Sequence, residues 1–582
     1  MKVYFFDISH LMQSDLHDEN ARKQVWDLTH LVSALQGLVN REEPRLFIRA
    51  ITPTDDYWFE KLTSRGEWLY DAEVVKITSL DELLQIFRDE FHGAVVYPPR
   101  PYSASNVAST IAGAENLLPI RYDLSPSSLY DRLITNRRIP VIRKVSSFSG
   151  ELTGSSKCDA YIWAKEKYLD SGASNPAKLG YYIDSYWLQN PFPSSVQNHT
   201  LTNHDYFISH KAFFFDLLPW DDEAPVDEPA QPVGTGQKTL QEILLSAYRR
   251  SGGDMIHVGG FVPWAFKYTT YGDAGGKHEP VPTEWRYAQI LSAYNAFMDA
   301  DALGIGAMAN ASFFQHYPLD YFYPQNPKPD WEDLRNSGLI DSTGSVVKRR
   351  YVTFYVGDYD SAAWLYSQMP RIWDDPARGS VPLGWAFNPN LEDRFPPGLA
   401  YARKTKTTND WFIAGDSGAG YLNPGMLQTP REFSHLPSGL DTWAKHCERY
   451  YKRWDLSITG FIIDGYAPGL NDEGLLRYMR FSPDGIVAQK ISEIGVFGDM
   501  PFIRMNLDLD GNPKDVARMI TSRFQGEKRQ FLIFRTILKT PSWHAEVRNA
   551  LESGHPDTKI IDSYSFFKLM KMMLRKSPYG QI

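Results

Sequence analysis

Cysteine is nearly missing from this chain. Cys158 and Cys447 are the only two in 582 residues, too few for a disulfide framework and too isolated for a zinc site built on clustered Cys or His ligands. Both thiols read as ordinary core residues. A surplus of positive charge is also lacking, since 61 Lys and Arg face 70 Asp and Glu for a net charge of −9. Without a basic field to hold phosphate backbones, nucleic acid is not an expected partner. No run approaches the roughly 18 consecutive apolar residues of a membrane span. Near the start, Asp7 interrupts Val3-Tyr4-Phe5-Phe6 before it reaches signal-peptide length, so a cytoplasmic protein is the expectation. The fourteen histidines contain no His-x-x-x-His pair, and no Gly-x-Ser-x-Gly elbow occurs. Metal and serine chemistry therefore rank below carboxylate chemistry, and no cofactor or metal is expected.

Aromatic residues are abundant: 16 Trp, 33 Tyr and 32 Phe make up 14% of the chain. Most must pack cores, but aromatic faces also stack on the C–H faces of sugar rings. Trp385, Trp411, Tyr421, Tyr466 and Trp543 stand beside turn residues and carboxylates, which favours a ligand.

The length exceeds the roughly 250 to 300 residues that one core organises. Periodicity predicts a small α/β domain over 1–75 and a second over 76–123. A mixed α/β domain follows over 124–236 and ends in the acidic, Pro- and Gly-rich stretch Asp221–Gly236, read as a surface linker. From 237 to 582, apolar strands that mostly close on a polar residue alternate with helical stretches. They are Met255–Gly260, Gly306–Ser312, Val352–Asp358, Leu383–Asn388, Trp411–Asp416, Thr459–Asp464, Phe502–Leu507 and Phe531–Leu538. Runs of this kind suit parallel strands buried on both faces. The fold expected is α/β, with a C-terminal parallel (β/α)7 or (β/α)8 barrel preceded by small α/β domains.

A parallel barrel presents its strand ends as the active face. The carboxylates there are Asp358, Asp360, Asp416 and Asp464. Breaking a glycosidic bond takes one neutral carboxyl to protonate the leaving oxygen and one ionised carboxylate to attack or to activate water. This set supplies such a pair. An aspartate at a strand end also caps the next helix, so each alone has a structural reading; three of four successive strands ending this way argues for chemistry. Around them, Asn310, Trp385, Asn388 and Tyr466 are expected to meet substrate. Glu284, with Asp273 and His278 from the Trp264–Val281 segment, forms a second candidate group, although Glu284 at a helix start also reads as a dipole partner. Asn506–Asn512 imitates the start of a calcium loop but has Ala517 where a bidentate Glu is needed; Asp508 within it is able to face the cleft.

The stretch Trp411 to Pro424 reads Trp-Phe-Ile-Ala-Gly-Asp-Ser-Gly-Ala-Gly-Tyr-Leu-Asn-Pro. With Gly418, Gly420, Tyr421 and Pro424 in place, it resembles the signature of the GxGYxYP putative glycoside hydrolases. Asn423 stands where that signature has its second tyrosine, exchanging a ring for an amide. Similar family segments are Asp358–Asp360, Tyr294–Phe297 with Asp301-Ala302, Asn310–Ser312 and Lys157–Trp163. The resemblance implies several N-terminal α/β modules before a catalytic-looking C-terminal domain.

Together these readings predict an enzyme that hydrolyses an oligosaccharide or glycoside. Asp358 and Asp464 are the expected acid and base or nucleophile, with Asp416 and Asp360 tuning them and Gly418, Gly420, Tyr421 and Asn423 forming a substrate platform. A carbohydrate-binding protein without chemistry and a metal-dependent sugar deacylase are the alternatives. The N-terminal modules are expected either to wall the cleft or to join copies into a homo-oligomer.

Overall fold

The computed structural model describes residues 1–136, 138–182, 184–185, 201–225, 227–260, 276–279, 281–299, 308–526 and 530–576. Asp273, most of the Trp264–Val281 segment and the 300–307 stretch with Gly306 lie outside them. The chain divides into two compact units. Unit 1 is Met1–Pro318 with Asp393–Pro396 and Glu432–Leu436; unit 2 is Leu319–Glu392, Pro397–Arg431 and Pro437–Ile582.

Unit 1 holds three parallel sheets. The first has β1 (Lys2–Asp7) between β2 (Leu46–Arg49) and β3 (Glu73–Ile77). Between β1 and β2 runs the helix Glu19–Val39, started by Asp18, whose side chain accepts the Ala21 N–H. In the second sheet β4 (Gly93–Tyr97) lies between β5 (Leu117–Arg121) and β6 (Val141–Lys144). The third contains β7 (Lys178–Tyr181), β8 (Phe213–Phe215), β9 (Ile256–Gly260) and β10 (Ala296–Met298) in the order β10-β9-β7-β8.

Two expectations change here. The run Met255–Gly260 was expected to open the barrel, but as β9 it pairs with β7 and β10 inside unit 1. Any strand buried on both faces reads the same in sequence, whichever parallel sheet it joins. The expected boundary at 236/237 likewise falls within the helix Thr235–Arg250 of unit 1. The described part of Gly306–Ser312 is not a strand: Asn310 adopts φ +74° and precedes the short helix Ala311–Phe314. Its carboxamide works inside the protein. Oδ1 accepts from Gln36 Nε2 at 2.6 Å and from the Ile48 N–H at 2.7 Å, while Nδ2 donates to the Ile48 carbonyl at 2.7 Å. One fully buried amide thus satisfies both backbone groups on an edge of β2.

Unit 2 contains β11 (Arg350–Tyr359), β12 (Leu383–Phe387), β13 (Asp410–Phe412), β14 (Ile458–Ile462), β15 (Gly485–Ala488), β16 (Ile494–Phe497), β17 (Met500–Arg504), β18 (Leu507–Leu509), β19 (Gln530–Ile537) and β20 (Thr558–Ile560). One parallel sheet runs β13-β12-β11-β19-β18, with β20 also on β11; the other runs β14-β15-β17-β16, antiparallel only at β16. Contacts continue past both sheet edges. Ala414 forms a parallel bridge with Thr459, and the Ala414 N–H donates to the Ile458 carbonyl at 3.0 Å. Between β17 and β18, Met505 N–H donates to the Ala488 carbonyl at 3.1 Å and Asn506 N–H to the Ile533 carbonyl at 3.2 Å. One hydrophobic cluster takes Tyr355, Ala386, Ile413, Phe461, Val487, Ile503 and Ile533 from successive strands and their ends. Among the described residues, no helix is long and apolar enough to cross a membrane.

Replacing Asn310 by Ala leaves one Gln36 amide hydrogen and both Ile48 backbone groups unpaired and puts alanine, which tolerates the left-handed region less well than asparagine, at φ +74°. Thermal or urea unfolding should show a loss of roughly 3 kcal/mol or more. A loss under 1 kcal/mol would reject the cross-linking role.

Candidate functional site

A group of polar residues in unit 2 lies in the carboxyl-terminal halves of its parallel strands and just past them. Three of them follow from register alone: Tyr355 pairs with Arg535, and Arg535 with Asp508, across β11, β19 and β18. Directly paired residues share a sheet face, so the three side chains stand side by side. Arg535 Nη1 reaches Asp508 Oδ2 at 2.9 Å, and Nη2 reaches Asp358 Oδ1 at 3.2 Å. The guanidinium also lies 5.3 Å from the Phe461 ring centroid. Its Nε is buried without a hydrogen-bond partner.

Asp358 reaches this cluster because β11 breaks register with β12 between Val356 and Tyr359, and Asp358 takes φ +77°. Bulges of this kind re-aim a side chain at a strand end. A third of its side chain stays in solvent. Burial raises its pKa on balance, against the opposing charge of Arg535 and with Asp508 adding to the rise.

Asp416 follows β13 and is buried. Tyr355 Oη donates to its Oδ1 at a long 3.4 Å, and Oδ2 has no partner. Burial pushes its pKa up to about 7, with Arg535 opposing and Asp358 adding to the rise. Asn388, just past β12, is fully buried with neither amide atom hydrogen-bonded. Gly415 makes room for it: a Cβ there would fall 2.3 Å from Asn388 Oδ1 and 3.2 Å from Tyr355 Oη.

Asp464 belongs to the next strand end, and Ser417 connects the two. Ser417 takes φ +67°, its N–H donates to the Phe461 carbonyl at 2.7 Å, and its Oγ accepts the Ile463 N–H at 3.0 Å. That clasp holds the turn after Asp416 against the end of β14. Asp464 Oδ2 accepts the Lys490 N–H at 2.7 Å, while its Oδ1 is buried and unpartnered. Burial raises its pKa to about 6 against the Lys490 bond and charge.

The remaining candidates take other positions. Asp360 is buried behind β11, and its charge acts on the Tyr355 hydroxyl. Gly418 and Gly420 have φ +136° and +134°, so the turn needs glycine for its backbone. A Cβ on Gly418 would lie 3.0 Å from Cys447 Sγ and 3.1 Å from the Trp443 ring, on the helix Leu440–Arg453. Gly418 thus packs the turn on a helix, where close approach to a ligand was expected. Tyr421 is 3% exposed. Asn423 is buried, and its Nδ2 donates to the Ile463 carbonyl at 2.9 Å. Trp385 is fully buried, donates to Asp410 Oδ1 at 2.9 Å and packs 5.2 Å from Trp373, so it belongs to the core. Tyr466 is 41% exposed. Glu284 and Asn310 lie in unit 1, Glu284 in the first turn of Thr283–Ser292.

Sequence reasoning missed Arg535 and Tyr355. The signal for Arg535 was a lone charge within Phe531-Leu-Ile-Phe-Arg-Thr-Ile, a strand otherwise fit for burial on both faces. Among the described residues, no group of three or more His, Cys, Asp and Glu side chains is arranged to hold a metal ion.

The search of curated proteins gives no match. A crystal structure of a "putative hydrolase" from Bacteroides thetaiotaomicron VPI-5482 is similar, with a TM-score of 0.68 at 16% identity over 98% of this chain and 95% of that one. At that identity the likeness establishes a shared α/β fold. Two models of one family match the sequence: its first domain over residues 22–89, and over 348–569 the domain described as "GxGYxYP putative glycoside hydrolase C-terminal domain", which holds Asp358, Asn388, Asp416, Asp464 and Arg535. Carrying both domains, the chain belongs to the GxGYxYP family.

Proposed function

We propose that the protein is a glycoside hydrolase acting on a carbohydrate at the strand ends of unit 2, with Asp416 as general acid and Asp358 as its ionised partner. The observation that carries this reading is the unequal treatment of two neighbouring carboxylates. Asp358 has a direct guanidinium contact and partial solvent; Asp416 has neither. Environments that pull two titrating groups apart assign the acid and the base. The sequence alone pairs Asp358 with Asp464; what supports Asp416 in its place is that the charges of Arg535 and Asp358 both act on it.

In this mechanism Asp416 gives its proton to the glycosidic oxygen as the bond to the anomeric carbon breaks. Asp358 either attacks that carbon or takes a proton from the water that does. The charge of Arg535 favours the ionised form of Asp358 against the effect of its burial. The unpartnered atoms of Asn388 and Asp464 then serve sugar hydroxyls, since a buried amide or carboxyl gains most from a ligand that completes its hydrogen bonds. Asp360 remains a tuning charge behind Tyr355.

The scaffold we propose for this site is a closed ring of seven strands, β11-β12-β13-β14-β15-β17/β18-β19. It is supported by the Ala414–Thr459 bridge on one side, by the Asn506–Ile533 bond on the other and by the shared interior cluster. Such a ring gathers the strand ends at one mouth.

Two outcomes follow. Against an aryl glycoside panel, Asp416→Asn and Asp358→Asn should each lower kcat/KM by about 10²- to 10⁴-fold. A glycoside with a good leaving group should partly rescue Asp416→Asn alone; full activity in both variants rejects the assignment.

The second concerns stability. Asp416 has a folded pKa of about 7 against 3.8 for the free side chain, so its proton favours the folded state. That contribution is complete below about pH 4 and is lost as pH rises through about 7. Wild type should therefore lose on the order of 2 to 4 kcal/mol relative to Asp416→Asn between pH 4 and 8, read by urea unfolding. A difference independent of pH would place no proton on Asp416.

A further inference from the structure

The stretch that imitates a calcium loop, Asn506 to Asn512, has no part in the chemistry proposed above, yet its polar residues alternate along β18 and its two ends. Alternate residues of an extended strand share a side. Here each of the three meets β19 or the residues after it. Asn506 exchanges two hydrogen bonds with Ile533, its N–H donating to the carbonyl at 3.2 Å and its Oδ1 accepting the N–H at 2.8 Å. Asp508 is level with Arg535, and Asp510 pairs with Lys539. The stretch is a strand stitched to its neighbour at three points.

That stitching fixes register. A slip of one residue would turn Asp508 to the opposite face and bring out Leu509, which is 2% exposed. With Ile533 held at one end and Lys539 at the other, Asp508 stays beside Arg535.

What Asp508 does there follows from the shape of its partner. A guanidinium is a planar fork whose donors keep fixed directions. Asp508 Oδ2 takes Nη1 at 2.9 Å and Asp358 Oδ1 takes Nη2 at 3.2 Å, so the fork is pinned at both terminal nitrogens. Without the first contact, the longer bond to Asp358 and the Phe461 ring at 5.3 Å are left to hold its direction. Asp508 is 56% exposed. Water screens an ion pair at that exposure, so its value lies in orientation more than in stability.

The charged and titrating groups that act with Asp358 are Arg535 from β19, Asp508 from β18, Asp416 after β13 and Tyr359 on its own strand. Asp508 has two opposed effects among them: its charge repels Asp358, while its oxygen holds a cation toward Asp358. Substitution can separate the two.

We propose that Asp508 is a positioning residue for the carboxylate site, holding Nη1 of Arg535 so that Nη2 faces Asp358. Its consequence for catalysis rests on the reading of Asp358 as the ionised partner; the positioning itself is measurable without substrate.

Asn and Ala at position 508 remove the same charge, and only Asn keeps an oxygen for Nη1. Infrared titration of the whole protein labelled with 13C-aspartate, in the Asp416→Asn background so that this neighbour is silent, isolates Asp358 as the difference made by Asp358→Asn. Asp508→Asn should move the Asp358 midpoint down, because a repelling charge is gone and the anchor remains. In Asp508→Ala the midpoint should lie above that of Asp508→Asn, because the cation is no longer held toward Asp358. On a glycoside that the wild type hydrolyses, Asp508→Ala should lower kcat by about ten- to 100-fold with KM nearly unchanged, and Asp508→Asn should restore most of it. The proposal is overturned if Asp358 titrates at the same pH in the Asn and Ala variants or lower in Ala, or if Asp508→Ala keeps the wild-type kcat. A protein that hydrolyses no glycoside would instead reject the proposed function and leave the titration result standing.

Discussion

One guanidinium sets the electrostatics of unit 2. Arg535 stands in a strand whose neighbours are apolar, and it remains charged because Asp358 and Asp508 take its two terminal nitrogens and Asp416 lies within its field. Removing a cation from such a position leaves several carboxylates with nothing to balance their burial, a far larger penalty than a surface ion pair ever represents. The same contacts that hold Arg535 decide which carboxylate is stabilised as an anion. The direct partner is Asp358; Asp416 feels the cation only at a distance, and burial governs its proton.

Backbone geometry makes this arrangement available. A register break at the end of β11 turns Asp358 toward Arg535, Gly415 leaves room for the Asn388 amide, and Ser417 fastens the turn after Asp416 to the end of β14. Each device is local and spends a residue with unusual conformational freedom or an unusual φ angle. Conformations of that cost persist where surrounding bonds over-determine them. Here the Phe461 and Ile463 backbone bonds to Ser417 do so.

Much of unit 2 was legible because its strands are apolar runs stopping at a polar residue, and Asp358, Asp416 and Asp464 do stand at strand ends. What could not be read was which sheet a run joins. Met255–Gly260 has the same pattern as the unit 2 strands and belongs to unit 1, since burial on both faces erases any mark of the partner. Strands of three or four residues, such as Gly485–Ala488 and Thr558–Ile560, are too short to show a period. Polar residues misled in a different way. Asn310 looked like a ligand contact and is a cross-link to Ile48; Gly418 looked like an opening for substrate and is a contact with Cys447. In both cases the residue type was read correctly as special, but its partner lies far away in sequence. The cooperation of Tyr355, Arg535 and Asp508 depends on register across three strands, which only pairing reveals.

The central claim is that Asp416 holds a proton near neutral pH while Asp358 does not. Infrared difference spectroscopy on protein with 13C-labelled aspartate, comparing wild type with Asp416→Asn and Asp358→Asn from pH 4 to 9, measures this without any substrate. Wild type minus Asp416→Asn should leave one protonated carboxyl band that disappears with a midpoint near pH 7, and Asp358→Asn should retain that band; other buried aspartates with raised pKa values, such as Asp464 and Asp184, cancel in the subtraction. A wild type minus Asp416→Asn difference with no such band, or an Asp416 carboxyl already ionised at pH 5, would contradict the claim.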